Sequence, residues 1–113
     1  MTRRGVAAEA LAAAFLQEHG LTVIARNYRC RLGEIDIVAV DAGTTVFVEV
    51  RQRTSSAFGG AAASITARKR ARLIRTARHY LSRMRTMPPC RFDAILVQGD
   101  PPRIDWVRNA FGA

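Results

Sequence analysis

The stretch GEIDIVAVDAGTTVFVEVRQR, residues 33–53, decides how the chain is read. Two apolar runs, Ile35–Val40 and Thr45–Val50, flank Ala42–Gly43, the pattern of a β-hairpin closed by a short turn. Ionised carboxylates are poor strand residues and costly to bury. Yet the runs carry Glu34, Asp36 and Glu49, followed by Arg51. A hairpin that turns on Ala42–Gly43 sets Asp36 directly opposite Glu49 and Glu34 directly opposite Arg51, with all four on one face because strand side chains alternate. The other hairpin positions are apolar on both faces, Ile35, Ile37, Val48 and Val50 on one and Val38 and Phe47 on the other. A sheet of that kind is covered on both sides. Two carboxylates with Cβ atoms roughly 5 Å apart then sit near the end of a buried sheet, where like charges repel. A divalent cation resolves the conflict, since Mg²⁺ takes hard oxygen ligands, often one or two carboxylates plus waters. The competing reading is an ordinary salt-bridged hairpin, with Glu34 paired to Arg51 and Asp36 bonded to a nearby Arg. A register slip of one residue would part Asp36 from Glu49 and remove the metal argument.

Outward from the hairpin, the chain reads as one domain over residues 1–113. That length can bury roughly two-thirds of its unfolded surface. Residues 5–19 are Ala-rich, free of Pro and stopped by Gly20, which predicts a helix. Leu21–Tyr28 is an extended segment, and Gln52–Ala63 is a small, polar loop. Ser64 caps a helix expected to reach Arg85 before Pro88–Pro89. Phe92–Val97 and Arg103–Val107 are two further strands around the turn QGDPP. The order is α-β-β-β-α-β-β, an α/β architecture with a small mixed sheet flanked by helices.

The composition narrows the function. The chain is 49% apolar, which argues against disorder. Its formal charge is +9, from 18 basic residues, all Arg except Lys69, against nine acids. That surplus favours a polyanionic partner. Cys30 and Cys90 form neither a metal-ligand spacing nor a disulfide framework, and read as reduced thiols of a cytoplasmic protein. The start, MTRRGVAAEALAAAFL, imitates an export signal, but Glu9 interrupts its apolar part and it reads as a mature helix. No apolar run approaches a membrane span, so a membrane partner is not expected; a homodimer is compatible with the sequence.

Within Ser64–Arg85, Leu73, Ile74, Ala77, Tyr80, Leu81 and Met84 form one apolar arc. Arg68, Arg72, Arg75, His79 and Arg83 fall on the other side at helical spacing. No acid lies between Glu49 and Asp93, so this cationic stripe lacks partners nearby in the sequence. A solvated face is the plain reading; contact with phosphates, Lys69 included, is the functional one. His19 and His79 are too isolated for a metal site, and Trp106 reads as a packing anchor.

The segments GVAAEALA, RNYR, GEIDIVAVD…VFVEVRQR and ITARKRARLIRTARHYL, in this order, resemble the YraN family of small bacterial proteins. More broadly they are similar to the PD-(D/E)XK, or restriction-endonuclease-like, nuclease superfamily, over about residues 3–97. The resemblance implies a restriction-endonuclease-like α/β core with Asp36 and Glu49 as metal carboxylates for Mg²⁺ or Mn²⁺. It implies that Arg51 stands where the superfamily has a catalytic Lys, and that Glu9 is the additional acid of the Holliday-junction-resolvase-like branch. Arg51 departs from the pattern: an Arg keeps its proton and cannot serve as a base. It could still stabilise charge on a phosphate, leaving the metal to acidify the water. Lys69 is the alternative amine, though its plain reading is a solvated surface residue. The expected function is a Mg²⁺-dependent endonuclease-like activity on DNA; the alternative is a nucleic-acid-binding module that kept the nuclease fold without efficient catalysis.

Overall fold

The Ala42–Gly43 turn forms with both residues at positive φ, 49° and 89°, the backbone of a type I′ hairpin turn. It sets the register read from the sequence, from Asp41↔Thr44 through Val38↔Phe47 to Ile37↔Val48. The structure, a computed structural model, describes residues 3–53 and 65–112. Its elements are α1 (Arg3–Glu18), β1 (Thr22–Cys30), β2 (Gly33–Asp41), β3 (Thr44–Arg53), α2 (Ala67–Leu81), β4 (Cys90–Gln98) and β5 (Arg103–Phe111). The five strands form one mixed sheet in the order β1-β2-β3-β4-β5. Only β3 and β4 run parallel, and the crossover a parallel pair needs is the segment that carries α2.

Each helix covers one face. Helix α1 buries Ala8, Ala12 and Leu16 against a cluster that includes Ile37, Val46, Val48 and Ile95. It ends where the sequence places a stop. Gly20, at φ 89°, lets the Gly20 and Leu21 N–H groups return to the carbonyls of Gln17 and Leu16, a Schellman cap sealed by buried Leu21. Helix α2 buries Leu73, Ala77 and Leu81 over Ile35, Val38, Phe47 and Phe92. Among the described residues no helix is long and apolar enough to cross a membrane.

Several expectations need correction. The N-cap of α2 is Thr66, whose Oγ1 accepts the Lys69 N–H at 3.1 Å. Ser64 lies outside the described residues, as does most of the Gln52–Ala63 loop; Gln52 itself belongs to β3. The helix stops at Leu81, where the Ser82 N–H returns to Arg78 O and Ser82 Oγ donates to His79 O. Met84 is therefore off the apolar arc and exposed. Ile35 is the informative exception: it packs under α2 with Val38 and Phe47, not with Ile37 and Val48. The cause lies at the level of Asn27 and Asp36. Asn27 has φ 56°, a left-handed conformation that Asn tolerates better than most residues. Arg26 then reaches α1, and Tyr28, only two residues on, packs beneath α2. Their partners in the ladder, Ile37 and Ile35, change faces in step.

Gly33 sets how closely α2 approaches this kink. Its φ is 150°, and a Cβ there would meet Thr76 Oγ1 at 2.8 Å and Arg72 Cγ at 3.0 Å. Thr76 is fully buried and donates to Arg72 O, so it has little room to yield. Gly33→Ala is expected to cost about 1–3 kcal/mol of stability, read from urea denaturation midpoints, the range for forcing a Cβ into a strained, close-packed backbone position.

At the other edge, fully buried Asp93 accepts from Arg91, from Trp106 Nε1 at 3.0 Å and from the Asn109 N–H at 2.9 Å. That network fastens the irregular β4–β5 pairing and makes Trp106 the anchor expected of it. Cys30 and Cys90 are both free thiols.

Candidate active site

The β2–β3 ladder ends at Ile37↔Val48, one pair short of the carboxylates. Beyond it Asp36 Oδ2 accepts the Val50 N–H at 2.8 Å, so the side chain takes the place of a backbone carbonyl. Glu49 follows Phe47 by two residues and shares its face, toward α2. The two carboxyls, 8% and 5% exposed, come within hydrogen-bonding reach of each other. The hairpin register thus does bring Asp36 to Glu49. It does not bring Glu34 to Arg51: Glu34 pairs across β1 with Arg29 at 3.0 Å.

Lys69 completes the group. It lies in the first turn of α2, its N–H held by the Thr66 cap, and its Nζ sits 2.8 Å from Glu49 Oε2. The solvated reading of Lys69 is therefore replaced by an ion pair with a buried carboxylate. The approach is out of line for a hydrogen bond, and Glu49 Oε2 remains a buried oxygen without a hydrogen-bond donor. These side chains line a cavity of about 510 Å³ with Arg29, Gly33, Glu34 and Arg72.

Burial is the largest influence on Asp36; the shared hydrogen bond and negative charge of Glu49 add to it, and the Val50 N–H partly opposes them. Together they push the Asp36 carboxyl up to about 9. Glu9 contributes more distantly to the same rise. It projects from α1, only 1% exposed, with Oε1 3.2 Å from Arg26 Nε and Oε2 without a hydrogen-bond partner. Two of the three acids thus keep a buried oxygen without a hydrogen bond, Glu49 Oε2 meeting only the charge of Lys69.

The other predicted residues divide by position. Arg72 lines the cavity; Arg68 and Arg75 are exposed on α2 outside its lining. Arg83 lies past the helix end and donates to Tyr28 Oη. Arg51 is half-buried opposite Leu96 in the parallel ladder, makes no ion pair with a described residue and is not among the residues lining the cavity. Sequence reasoning missed Arg26 and Arg29. Their signal is RNYR itself: an Asn able to take positive φ, with an Arg on either side that the kink directs to Glu9 and to the cavity rim.

Comparison with known proteins finds relatives that span nearly the whole chain. A protein of Nitrosomonas europaea, named as a UPF0102 protein, is 59% identical over 109 residues, covering 96% of this chain and 92% of that one. One of Methylobacillus flagellatus, also named as a UPF0102 protein, is 56% identical over 114 residues and the full length of both chains. A third, of Nitrosospira multiformis, is 54% identical over 109 residues, covering 96% of this chain and 92% of that one. Residues 8–97 match the family described as "Uncharacterised protein family UPF0102", a span that runs from within α1 into β4 and includes every residue of the carboxylate site. The likeness to the small YraN proteins therefore holds at the level of the family, and the chain belongs to the uncharacterised protein family UPF0102.

Proposed function

We propose that the protein is a Mg²⁺- or Mn²⁺-dependent endonuclease-like phosphodiesterase acting on nucleic acid, DNA foremost, with Asp36 and Glu49 holding the ion. The observation that carries this reading is a pair of buried, mutually repelling carboxylates beside an amine, at the floor of a cavity whose rim bears Arg29 and Arg72. A purely structural ion pair has no need of the second carboxylate. The residues fit a divalent ion: Glu49 Oε2 is a buried hard donor whose charge is met by the Lys69 ammonium without a hydrogen bond, and Asp36 is an acid whose ionisation awaits a cation. Among the described residues no group of three or more His, Cys, Asp or Glu could hold a metal. Two carboxylates, with waters and a substrate phosphate filling the remaining positions, is the Mg²⁺ pattern rather than the zinc one.

When bound, the ion would supply positive charge to the phosphate oxygens and acidify a water. The chain's own residues do the rest. Arg29 and Arg72 draw a phosphodiester to the cavity mouth. Lys69, a tunable amine where Arg51 is a fixed charge, exchanges Glu49 for the phosphate and can move a proton at Nζ. Glu9, held by Arg26, would add its negative charge to that of Asp36 and Glu49 without lining the cavity. This is the layout the PD-(D/E)XK resemblance implies, with the amine supplied from α2 instead of from position 51.

A second reading, a nucleic-acid-binding module without catalysis, is favoured by one observation: Lys69 sits on the oxygen the ion would take. Metal binding separates the two. Mg²⁺ or Mn²⁺ at about a hundred times its dissociation constant is expected to add about 2.7 kcal/mol of stability. A melting temperature unmoved by either ion would remove the metal site.

The exposed stripe gives a further expectation. Arg68, Arg72 and Arg75 replaced together by Gln should weaken binding to duplex DNA and flatten its dependence on salt, by roughly one unit of log–log slope for each phosphate no longer neutralised. Unchanged affinity and slope would assign the stripe to solvent.

A further inference from the structure

We propose that Tyr28, His79 and Arg83 form a second phosphate-binding subsite, which holds a backbone phosphate of the same nucleic acid whose scissile phosphate lies at Asp36 and Glu49. The inference rests on the nucleic-acid reading above and adds to it a defined contact away from the carboxylates.

Hydrogen-bond accounting at the cluster points to an anion. Arg83 Nη2 donates to Tyr28 Oη at 3.0 Å, and the phenol lies 2.5 Å from His79 Nδ1. A phenol has one proton. With Arg83 as donor to its oxygen, Tyr28 has its second contact with His79 Nδ1, where the donor is set by the imidazole tautomer. The Tyr28 oxygen is thus occupied within the cluster, and what remains of Arg83, on an exposed residue, is its other N–H groups, all donors and part of a fixed positive charge. Among the described residues no acid pairs with either side chain.

The donors are also held in place. The Arg83 guanidinium lies over the Tyr28 ring, 5.3 Å from its centroid. Tyr28 packs edge-on against Tyr80 at 5.1 Å, and Tyr80 edge-on against the core residue Phe47 at 5.8 Å. An exposed Arg beyond a helix end is ordinarily free to rotate, and binding must then order it. Here a chain of rings from the core does so beforehand. A clamp joining β1 to α2 would need the ring packing and one hydrogen bond; it would not need a guanidinium held on the same hydroxyl as well.

The spacing suits a nucleic-acid backbone. His79 is ten residues from Lys69 on the same helix, about 15 Å along its axis. Several phosphates of one bound duplex fall within such a span, so both sites can be met by the same molecule.

The test uses the full chain without divalent ions, a fluorescent 16-base-pair duplex as probe, and NMR of the His79 imidazole. Arg83→Gln is expected to weaken duplex binding about 5–10-fold at low salt and to lower the log–log salt slope by about one. Tyr28→Phe keeps the ring and the charge but releases both donors; it should weaken binding about threefold with the slope unchanged. In the parent, the duplex should shift the His79 Nε2 resonance. A merely structural clamp would lower melting temperatures and leave the slope and the resonance where they were. An Arg83→Gln variant, folded by its melting curve, with an unaltered slope overturns the subsite. So does a His79 signal that responds to inorganic phosphate and not to the duplex. A parent with no affinity for the duplex would instead remove the nucleic-acid reading itself, whereas an absence of cleavage has no bearing on this measurement.

Discussion

Lys69→Met is expected to lower metal-dependent cleavage of DNA by about 10²-fold or more, the scale for losing a positioned charge or proton-transfer group in a transition state. The expectation follows from the placement of the only lysine in the chain, 2.8 Å from Glu49 inside the cavity. Met keeps most of the alkyl chain and the helical propensity, so the change isolates the amine. Arg51→Met should cost much less, since Arg51 is not among the residues lining the cavity. Both variants remove one positive charge and alter the general field alike, which makes their ratio the informative quantity. A greater loss at Arg51 than at Lys69 would return the catalytic cation to the strand, as the E-x-K position implies. Melting curves guard against a second cause, because Lys69 also compensates a buried carboxylate.

Asp36→Asn is expected to do two opposite things. In the absence of metal it should raise stability at pH 8. The Asp36 carboxyl holds its proton up to about 9 in the folded protein against an ordinary value of 3.8. Between those two values the folded state binds a proton that the unfolded chain has released. The stabilisation linked to Asp36 is thus fully present below pH 3.8 and is lost as pH rises toward 9, by up to about 1.4 kcal/mol per pH unit. Asn keeps an acceptor for the Val50 N–H, offers a donor to Glu49 and does not titrate, so the variant should melt above the parent at alkaline pH. With Mg²⁺ or Mn²⁺ the order should reverse. The ion must displace the Asp36 proton, so its stabilisation of the parent should be larger at pH 8.5 than at pH 6, and it should be absent in Asp36→Asn. A parent whose metal-free stability falls no more between pH 5 and pH 8 than that of Asp36→Asn would show that Asp36 is ionised when folded.

The sequence made some of this legible and left other parts hidden, for reasons that can be assigned to residues. Ala42–Gly43 specifies its turn locally, and the turn sets the register that brings Asp36 to Glu49. Gly20 specifies a helix end in the same local way. Strict alternation failed at Ile35 because one left-handed residue, Asn27, on the neighbouring strand shifts both strands' faces together, and an Asn in a strand pattern does not announce that. Glu34 met Arg29 instead of Arg51 because the β1–β2 ladder continues past the point where the β2–β3 ladder stops. Lys69 looked solvated because its distance from Glu49 is set by the crossover that carries α2 over the sheet, a property of topology rather than of either segment. Ser64 and Thr66 are both acceptable caps by residue type; the choice of Thr66 is what puts Lys69 in the first turn, aimed at the carboxylates.

Whether Asp36, Glu49 and Lys69 form a centre for phosphodiester cleavage is decided by one assay. The purified protein is incubated with branched, nicked and single-stranded DNAs, with Mg²⁺, with Mn²⁺ and with chelator, beside Asp36→Asn and Lys69→Met. Cut strands are expected for the parent on at least one of these DNAs only when an ion is present, none for Asp36→Asn, and about 10²-fold or more less for Lys69→Met. Intact DNA from the parent under every condition, or equal cleavage by Asp36→Asn, would show that these three residues are not a cleavage centre.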